Sequence, residues 1–254
     1  MKVSVIASGS KGNTTLIETD NTKILIDLGI SCNKLTEELT KLNIKPKDIN
    51  AVLITHAHCD HTKGITAFIK RYHPAVYLTE FIAKETELYN YQNIVYYEPI
   101  TYINDLTIKV LRTSHYTKDS FGFVIKYLNE EVVYITDTGY IKQTYINDLK
   151  NKDIYIIESN HDPEMLINGP YPHFLKKRIW GAKGHLSNED AANLLARTVG
   201  NKTKHIILAH LSHENNRPEI AINVTKQILN SKLKGKHLHV AKQNEPLSTI
   251  EVNL

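Results

Sequence analysis

The segment Thr55-His56-Ala57-His58-Cys59-Asp60-His61 gathers three imidazoles and a carboxylate into positions 56–61. The residues just before it, 51–55, read as a short apolar strand. In an extended chain, residues two apart point the same way, so His56 and His58 can close on one cation as a pair. After the chain turns, Asp60 and His61 can face a second cation beside the first. Imidazole combined with carboxylate suits zinc, manganese or iron rather than calcium. A polar surface loop is the blander reading, and three histidines in six positions at the end of a strand argue against it. Cys59 is a candidate thiolate ligand on chemistry alone.

These groups work only if the chain holds them rigidly. Strands are expected over residues 2–7, 14–18, 23–27, 51–55, 75–78, 106–112, 121–126, 132–136, 153–158 and 205–209. Turn chemistry falls at 8–13 and at Asp20-Asn21. Ser31 reads as a helix cap followed by Leu35, Leu39 and Leu42 at helical spacing. Further helices are expected over 63–71, 188–199 and, opened by Pro218, 218–229. Two strand blocks with helices interposed imply two sheets with helices outside, an α/β four-layer αββα sandwich. There is no fixed-period repeat or Pro/Gly-rich linker, so residues 1–254 read as one domain.

The loop His56-x-His58-x-Asp60-His61 resembles the HxHxDH signature of the metallo-β-lactamase superfamily. That resemblance implies a further His, a bridging Asp and a final His, each at the end of a later strand. Ser114-His115, Thr136-Asp137-Thr138-Gly139 and Leu208-Ala209-His210-Leu211-Ser212 offer His115, Asp137 and His210 at such places. It therefore implies two divalent metal ions, zinc or manganese, with His56, His58 and His115 on one and Asp60, His61 and His210 on the other. Asp137 would bridge them. The family pattern treats the position of Cys59 as variable, which leaves it out of the ligand set.

Two more stretches, Glu158-Ser159-Asn160-His161-Asp162 and Lys183-Gly184-His185-Leu186-Ser187-Asn188, are ordered as in the tRNase Z-like nuclease branch of the superfamily. By that likeness His185 donates a proton to the leaving group and Glu158 steadies it. Asp60 would orient the attacking hydroxide. A helix N-terminus beside His185 also favours phosphate through unpaired backbone N–H groups; otherwise Ser187 or Asn188 merely caps that helix. A nearer resemblance is to the YycJ/WalJ group. It rests on Ala7-Ser8-Gly9-Ser10-Lys11-Gly12-Asn13, on Asp119-Ser120-Phe121-Gly122-Phe123 after His115, on the two stretches above, and on His210-Leu211-Ser212-His213-Glu214-Asn215-Asn216. This group is regarded as containing nucleases, with exonuclease action on DNA proposed. The chain has no room for the long inserted cap domain of RNase J-type enzymes, and it shows no Gly/Pro-rich protruding arm of the kind tRNase Z uses on tRNA.

For substrate, Lys176, Lys177, Arg178 and Lys183 surround the single Trp180 just ahead of His185. The cations could hold a phosphate backbone while the indole stacks on a base. An amphipathic helix with Leu175, Ile179 and Trp180 turned inward is the competing reading. Ser187, Ser120, Asn215 and Asn216 are candidate phosphate contacts or turn formers, and residues 8–13 a candidate floor of the site or a plain turn. Tyr89, Tyr91, Tyr96, Tyr97 and Tyr102 are expected to brace strand faces, and His161 and His213 to stand just behind the site.

Composition narrows the class. The net charge is +4, from 31 Lys plus Arg against 27 Asp plus Glu, which permits an anionic substrate without demanding one. No apolar run approaches the roughly 20 residues of a membrane span, and the apolar stretch at the start is too short for a secretory signal. Two cysteines form no disulfide framework, so a reducing cytoplasm is expected. The favoured function is a dinuclear metal-dependent phosphodiesterase acting on nucleic acid, most of all a DNA exonuclease. A small-molecule metallo-hydrolase (cyclic phosphodiesterase, lactonase or thioesterase) is the alternative. A metal-stabilised binding module ranks below both, because no ligand or proton donor of the pattern is missing.

Overall fold

Several strands of this chain carry unbroken apolar runs, as at 24–26, 51–53, 75–78, 154–157 and 206–209, the mark of strands covered on both faces. The computed structural model describes residues 1–252, so the last two positions of the expected domain lie outside it. In chain order come β1 (Lys2–Ala7), β2 (Thr14–Glu18), β3 (Lys23–Ile26), α1 (Cys32–Lys41), β4 (Ala51–Leu53), α2 (Cys59–Thr62), α3 (Ile65–Tyr72), β5 (Ala75–Leu78), α4 (Glu80–Glu85) and β6 (Ile94–Tyr96). The second half has β7 (Ile100–Ile103), β8 (Leu106–Arg112), β9 (Phe121–Tyr127), β10 (Glu130–Ile135), α5 (Ile146–Leu149), β11 (Ile154–Glu158), α6 (Pro163–Asn168) and α7 (His173–Trp180). It closes with α8 (Asn188–Thr198), β12 (His205–Ala209), α9 (Pro218–Leu229), β13 (His237–Val240) and β14 (Ile250–Glu251).

The strands form two seven-stranded sheets, ordered β14-β1-β2-β3-β4-β5-β6 and β13-β12-β11-β10-β9-β8-β7. Each sheet is antiparallel on one side and parallel on the other: β3 to β6 in the first, β10 to β13 in the second. One apolar core joins residues of both sheets, such as Leu16, Ile26, Phe123 and Ile156, and takes in Leu35, Leu39, Phe68 and Ile82 from α1, α3 and α4. A second core lies between the second sheet and its helices: Ile135, Tyr155, Ile157 and Leu208 pack with Leu149, Ala191, Leu195 and Ala221 of α5, α8 and α9. This is the expected αββα sandwich. Among the described residues no helix is long and apolar enough to cross a membrane.

The expected strands are all present, five of them with the expected bounds and the others differing by a residue or two at an end. Four strands, β6, β7, β13 and β14, have no counterpart in the sequence reading, and they are the four sheet edges. Edge strands are short and half solvated, so their apolar pattern is weak. The helix expected over 63–71 is α3, and His61 already sits in the separate turn of helix α2. Ser31 caps α1 by accepting from Lys34 N–H, and Pro218 opens α9 as expected.

Candidate metal centre

Ligand-bearing loops leave the strands on one rim of the sandwich, at the carboxyl ends of the parallel strands, where open α/β sheets place their ligands. Three residues make the turn in the left-handed conformation: Asp27 after β3 (φ 61°), Asp137 after β10 (φ 54°) and His210 after β12 (φ 55°). For residues with a Cβ this is uncommon and costs energy, and such strain collects at functional sites. At Gly29 the constraint is a close approach: a Cβ there would lie 1.8 Å from Asp60 O and 2.4 Å from Asn13 N. Only glycine lets the 8–13 loop and the histidine loop touch.

The structure brings all seven expected ligands together. On one side His58 Nδ1 lies 3.0 Å from His56 Nε2 and 3.3 Å from His115 Nε2. Three nitrogens on a tetrahedral zinc ion, each at about 2.0–2.1 Å, are about 3.3 Å apart, so the imidazole spacing fits such an ion. Burial drives His56 well below its usual pKa and His115 down to about 4, and it lowers His58 as well. These rings are therefore neutral and offer lone pairs, as metal binding requires.

The other side is acidic. Asp60 Oδ2 lies 3.4 Å from His61 Nε2 and 3.6 Å from His210 Nε2. Asp137 stands between the two groups, with Oδ2 3.1 Å from His61 Nε2 and Oδ1 3.7 Å from His115 Nε2 and 3.6 Å from His210 Nε2. Burial opposes charge here and loses. Asp137 is held well below the usual carboxylate range by His210 and His61. His210 is raised to about 10, chiefly by Asp137, then by Asp60 and Glu158. The pocket thus favours positive charge. Asp137 Oδ2 and His210 Nε2 are buried without a hydrogen-bond partner, since their neighbours are too distant or badly angled. Buried polar atoms are normally paired, and cations between the two groups would satisfy both.

A second layer fixes the ring orientations. His61 Nδ1 meets Asp27 Oδ2 at 2.6 Å, and Asp27 also accepts from Thr55 N and Thr55 Oγ1, both at 2.8 Å. His115 Nδ1 lies 3.2 Å from Gly184 O. Glu158, fully buried, accepts four hydrogen bonds: Oε1 from His185 Nδ1 and His210 Nδ1 at 2.8 Å each, Oε2 from Thr138 N at 3.0 Å and Leu186 N at 3.1 Å. Burial raises its pKa, but the charge and hydrogen bonds of His185, with His210, outweigh that and hold it at about 2.

Asp27 and the second task of Glu158, steadying His210, are absent from the sequence reading. Asp27 carried the same signal as Asp137, a carboxylate directly after an apolar strand, but lies far upstream of the motif. The 8–13 loop lies against the expected ligands: Ser8 Oγ accepts from His210 N at 2.8 Å, and Asn13 Nδ2 lies 3.1 Å from His61 Nε2.

A cavity of about 310 Å³ opens over these groups, lined by His58, Asp60, His115, Asp137, His185 and His210, with Tyr116, Tyr171, Leu175, Arg178 and Ile179 opposite. Other expected contacts are elsewhere. Lys176 and Lys177 line a separate cavity on the outside of α7. Ser187 is the N-cap of α8, its hydroxyl paired with Asp190 in a capping box. Asn215 is buried and absent from the cavity wall. The start of α8 has no spare donors among Leu186, Ser187, Asn188 and Asp190: their N–H groups go to Glu158, Asp190, His161 and Ser187. The expected phosphate contact by this helix end is therefore not available from them. Ser120 and Asn216 are buried and hydrogen-bonded within the protein.

His213 is exposed and pairs with Glu214, whereas His161 is buried beside Trp180. Tyr91 and Tyr97 do brace the fold, donating to Pro74 O and Ile54 O, while Tyr89, Tyr96 and Tyr102 are exposed. Cys59 is exposed and outside every donor cluster.

Fold and donor set define a class. Residues 22–211 match the β-lactamase superfamily domain, and the chain belongs to that family. Exodeoxyribonuclease WalJ of Streptococcus pneumoniae is 39% identical over 237 residues, covering 87% of this chain and 85% of that protein. Exodeoxyribonuclease YycJ of Bacillus anthracis is 37% identical over 238 residues, covering 90% and 89%. The solved structure of the metallo-β-lactamase fold protein YhfI from Bacillus subtilis has the same fold, with a TM-score of 0.75 at 17% identity and 97% and 99% of the two chains covered.

Proposed function

We propose that this protein is a dinuclear metal-dependent phosphodiesterase that removes nucleotides from an end of DNA. The observation that carries the reading is the Glu158–His185 pair, 2.8 Å apart, with His185 lining the same cavity as five of the seven metal donors, His58, Asp60, His115, Asp137 and His210. The two relatives named as exodeoxyribonucleases support the substrate. His56, His58 and His115 would hold one ion and Asp60, His61 and His210 the other, with Asp137 between. Zinc or manganese bound there supplies a lowered pKa for water and polarisation of a phosphoryl oxygen.

The chain's own groups do the rest. Asp60, on the cavity wall, accepts a hydrogen bond from the attacking water and turns its lone pair toward phosphorus. His185 gives its Nδ1 proton to a hydrogen bond with Glu158 Oε1, which leaves Nε2 to carry a proton to the departing sugar oxygen. The ionised Glu158 stabilises the imidazolium that this requires. Arg178, on the far wall, faces the phosphate. A cytoplasmic setting belongs to the same reading, since Cys32 and Cys59 are both free.

The test is product mapping on end-labelled DNA and RNA in zinc, manganese and magnesium, beside a chromogenic bis-aryl phosphate ester. Mononucleotides released from a DNA end support the reading. His185→Ala is expected to keep its metal and to slow cleavage by about 10²–10⁴. Turnover of the ester with no cleavage of any polymer would overturn it.

A further inference from the structure

Nearly every backbone donor of the 8–13 loop is in use. Ser8 N donates to Lys242 O at 3.2 Å, Gly9 N to Asn13 Oδ1 at 2.8 Å, Lys11 N to Gln243 Oε1 at 2.7 Å, Gly12 N to Gly9 O at 3.1 Å and Asn13 N to Asp60 O at 2.8 Å. Ser10 is the exception. Among the described residues neither its N–H nor its hydroxyl has a hydrogen-bond partner. Ser10 also lines the catalytic cavity, together with Asp60, Asp137 and His210.

The bond from Gly12 N to Gly9 O closes a four-residue turn with Ser10 and Lys11 at its centre. The turn is gripped from outside. Gln243, half-buried in the segment after β13, accepts from Lys11 N through Oε1 and donates through Nε2 to Gly12 O at 3.0 Å. A Cβ at Gly9, where φ is 140°, would lie 2.6 Å from Gln243 Oε1, so glycine there is what admits the carboxamide. On the other side Asn13 N is tied to Asp60 O. The turn is therefore held between Gln243 and the histidine loop, with no bond spent on Ser10 itself. A fixed tip with a spare N–H, a spare hydroxyl and an exposed cation, Lys11, at the next position is suited to an anion. Ser10 is exposed at the rim of the cavity, whereas Asp137 and His210 are buried. A scissile phosphate belongs over the buried donors, and Ser10 is placed for its neighbour along the strand.

We infer that Ser10 is a substrate-binding residue, its hydroxyl and N–H donating to the phosphodiester next to the scissile one, and that Gln243 is the positioning residue that holds it there. This rests on the nuclease reading above and adds a phosphate subsite to it. Contacts of this kind fix the register of a nucleic acid without reading its sequence, so the pair helps to set which bond lies over the metal centre.

Kinetics on end-labelled DNA beside bis(4-nitrophenyl) phosphate test this, because the ester has one phosphate and nothing to place in a neighbouring subsite. Ser10→Ala should raise the KM for DNA by about 10- to 150-fold relative to the KM for the ester, the range for one hydrogen bond to a charged group. The loss should fall in KM rather than in kcat, as removal of uniform binding does. Ser10 is exposed at a turn tip, so folded protein is expected, and a thermal melt verifies it. Gln243→Met, which fills similar space without the polar bonds, should raise the same KM. The double variant S10A/Q243M should lose less than the product of the two single losses, as coupled residues do. A Ser10→Ala protein with the parent's ratio of DNA to ester KM, or one slowed in kcat alone, would overturn the subsite. Single losses that multiply fully in the double variant would overturn the role of Gln243. Ester turnover by the parent without cleavage of any DNA would remove the nuclease reading itself, a failure seen before any variant is made.

Discussion

Replacing Glu158 by Gln removes a charge and almost no volume, and it isolates the link between the metal ligands and the proton donor. The carboxylate accepts from His185 Nδ1, His210 Nδ1, Thr138 N and Leu186 N. A carboxamide has only one acceptor oxygen. If its NH₂ faces Thr138 and Leu186, two buried donors lose their acceptor, at about 1–3 kcal/mol each. That totals about 2–6 kcal/mol, a large share of the 5–15 kcal/mol typical of a folded domain. If the NH₂ faces the imidazoles, His210 must become an acceptor at Nδ1. Its proton then moves to Nε2, the atom meant for the metal. Either way the centre suffers. We expect a lower melting temperature, a 10- to 100-fold loss of affinity for the ion at His210, and a fall in kcat of about 10²–10⁴ at saturating metal. Competition with a chromogenic chelator, a thermal melt and turnover on labelled DNA measure the three. A Glu158→Gln protein that binds both ions as tightly as the parent and cleaves as fast would refute the shared-carboxylate reasoning.

Asp27→Asn is expected to weaken the ion held by His61 by 10- to 100-fold while leaving the imidazole side filled, so that metal content falls toward one ion per chain when metal is limiting; two ions retained would contradict it. Gly29→Ala should cost at least about 3 kcal/mol, the upper end of ordinary overpacking, because the new methyl meets backbone at 1.8 Å; a melting temperature within a degree of the parent would count against the close approach. His205 lies at the opposite end of β12 from the metal centre and is driven down to about 4 by burial, with His239, His237 and Lys204 adding to the effect. The unfolded chain then binds the extra proton from about pH 6.5 downward, so stability is full above that pH and is lost as the pH falls toward 4. His205→Asn should reduce that slope by up to about 1.4 kcal/mol per pH unit; denaturant melts between pH 4 and 7 check it, and an unaltered slope would exclude His205 as the source.

The residues that could be read from sequence are those whose chemistry is written in type and spacing. His56, His58, Asp60 and His61 form a local cluster, and His115, Asp137, Glu158 and His210 each lie at the end of a legible apolar strand or within three residues of it. What could not be read depends on three-dimensional closure. Nothing local states that Asp27 will meet His61, or that Asp27, Asp137 and His210 will turn in the left-handed conformation. Glu158 could be matched to His185, but its second bond to His210 exists only because β11 and β12 are neighbours. The cations of α7 were visible as a group; their division between an inner Arg178 and an outer Lys176 and Lys177 follows from the way the helix lies on the rim.

The seven-donor centre is tested most directly by anomalous diffraction at the zinc and manganese edges on crystals of the metal-loaded protein. The account predicts two ions per chain, one among His56, His58 and His115 and one among Asp60, His61 and His210, with Asp137 touching both. A single ion, or ions bound away from these residues, would contradict it.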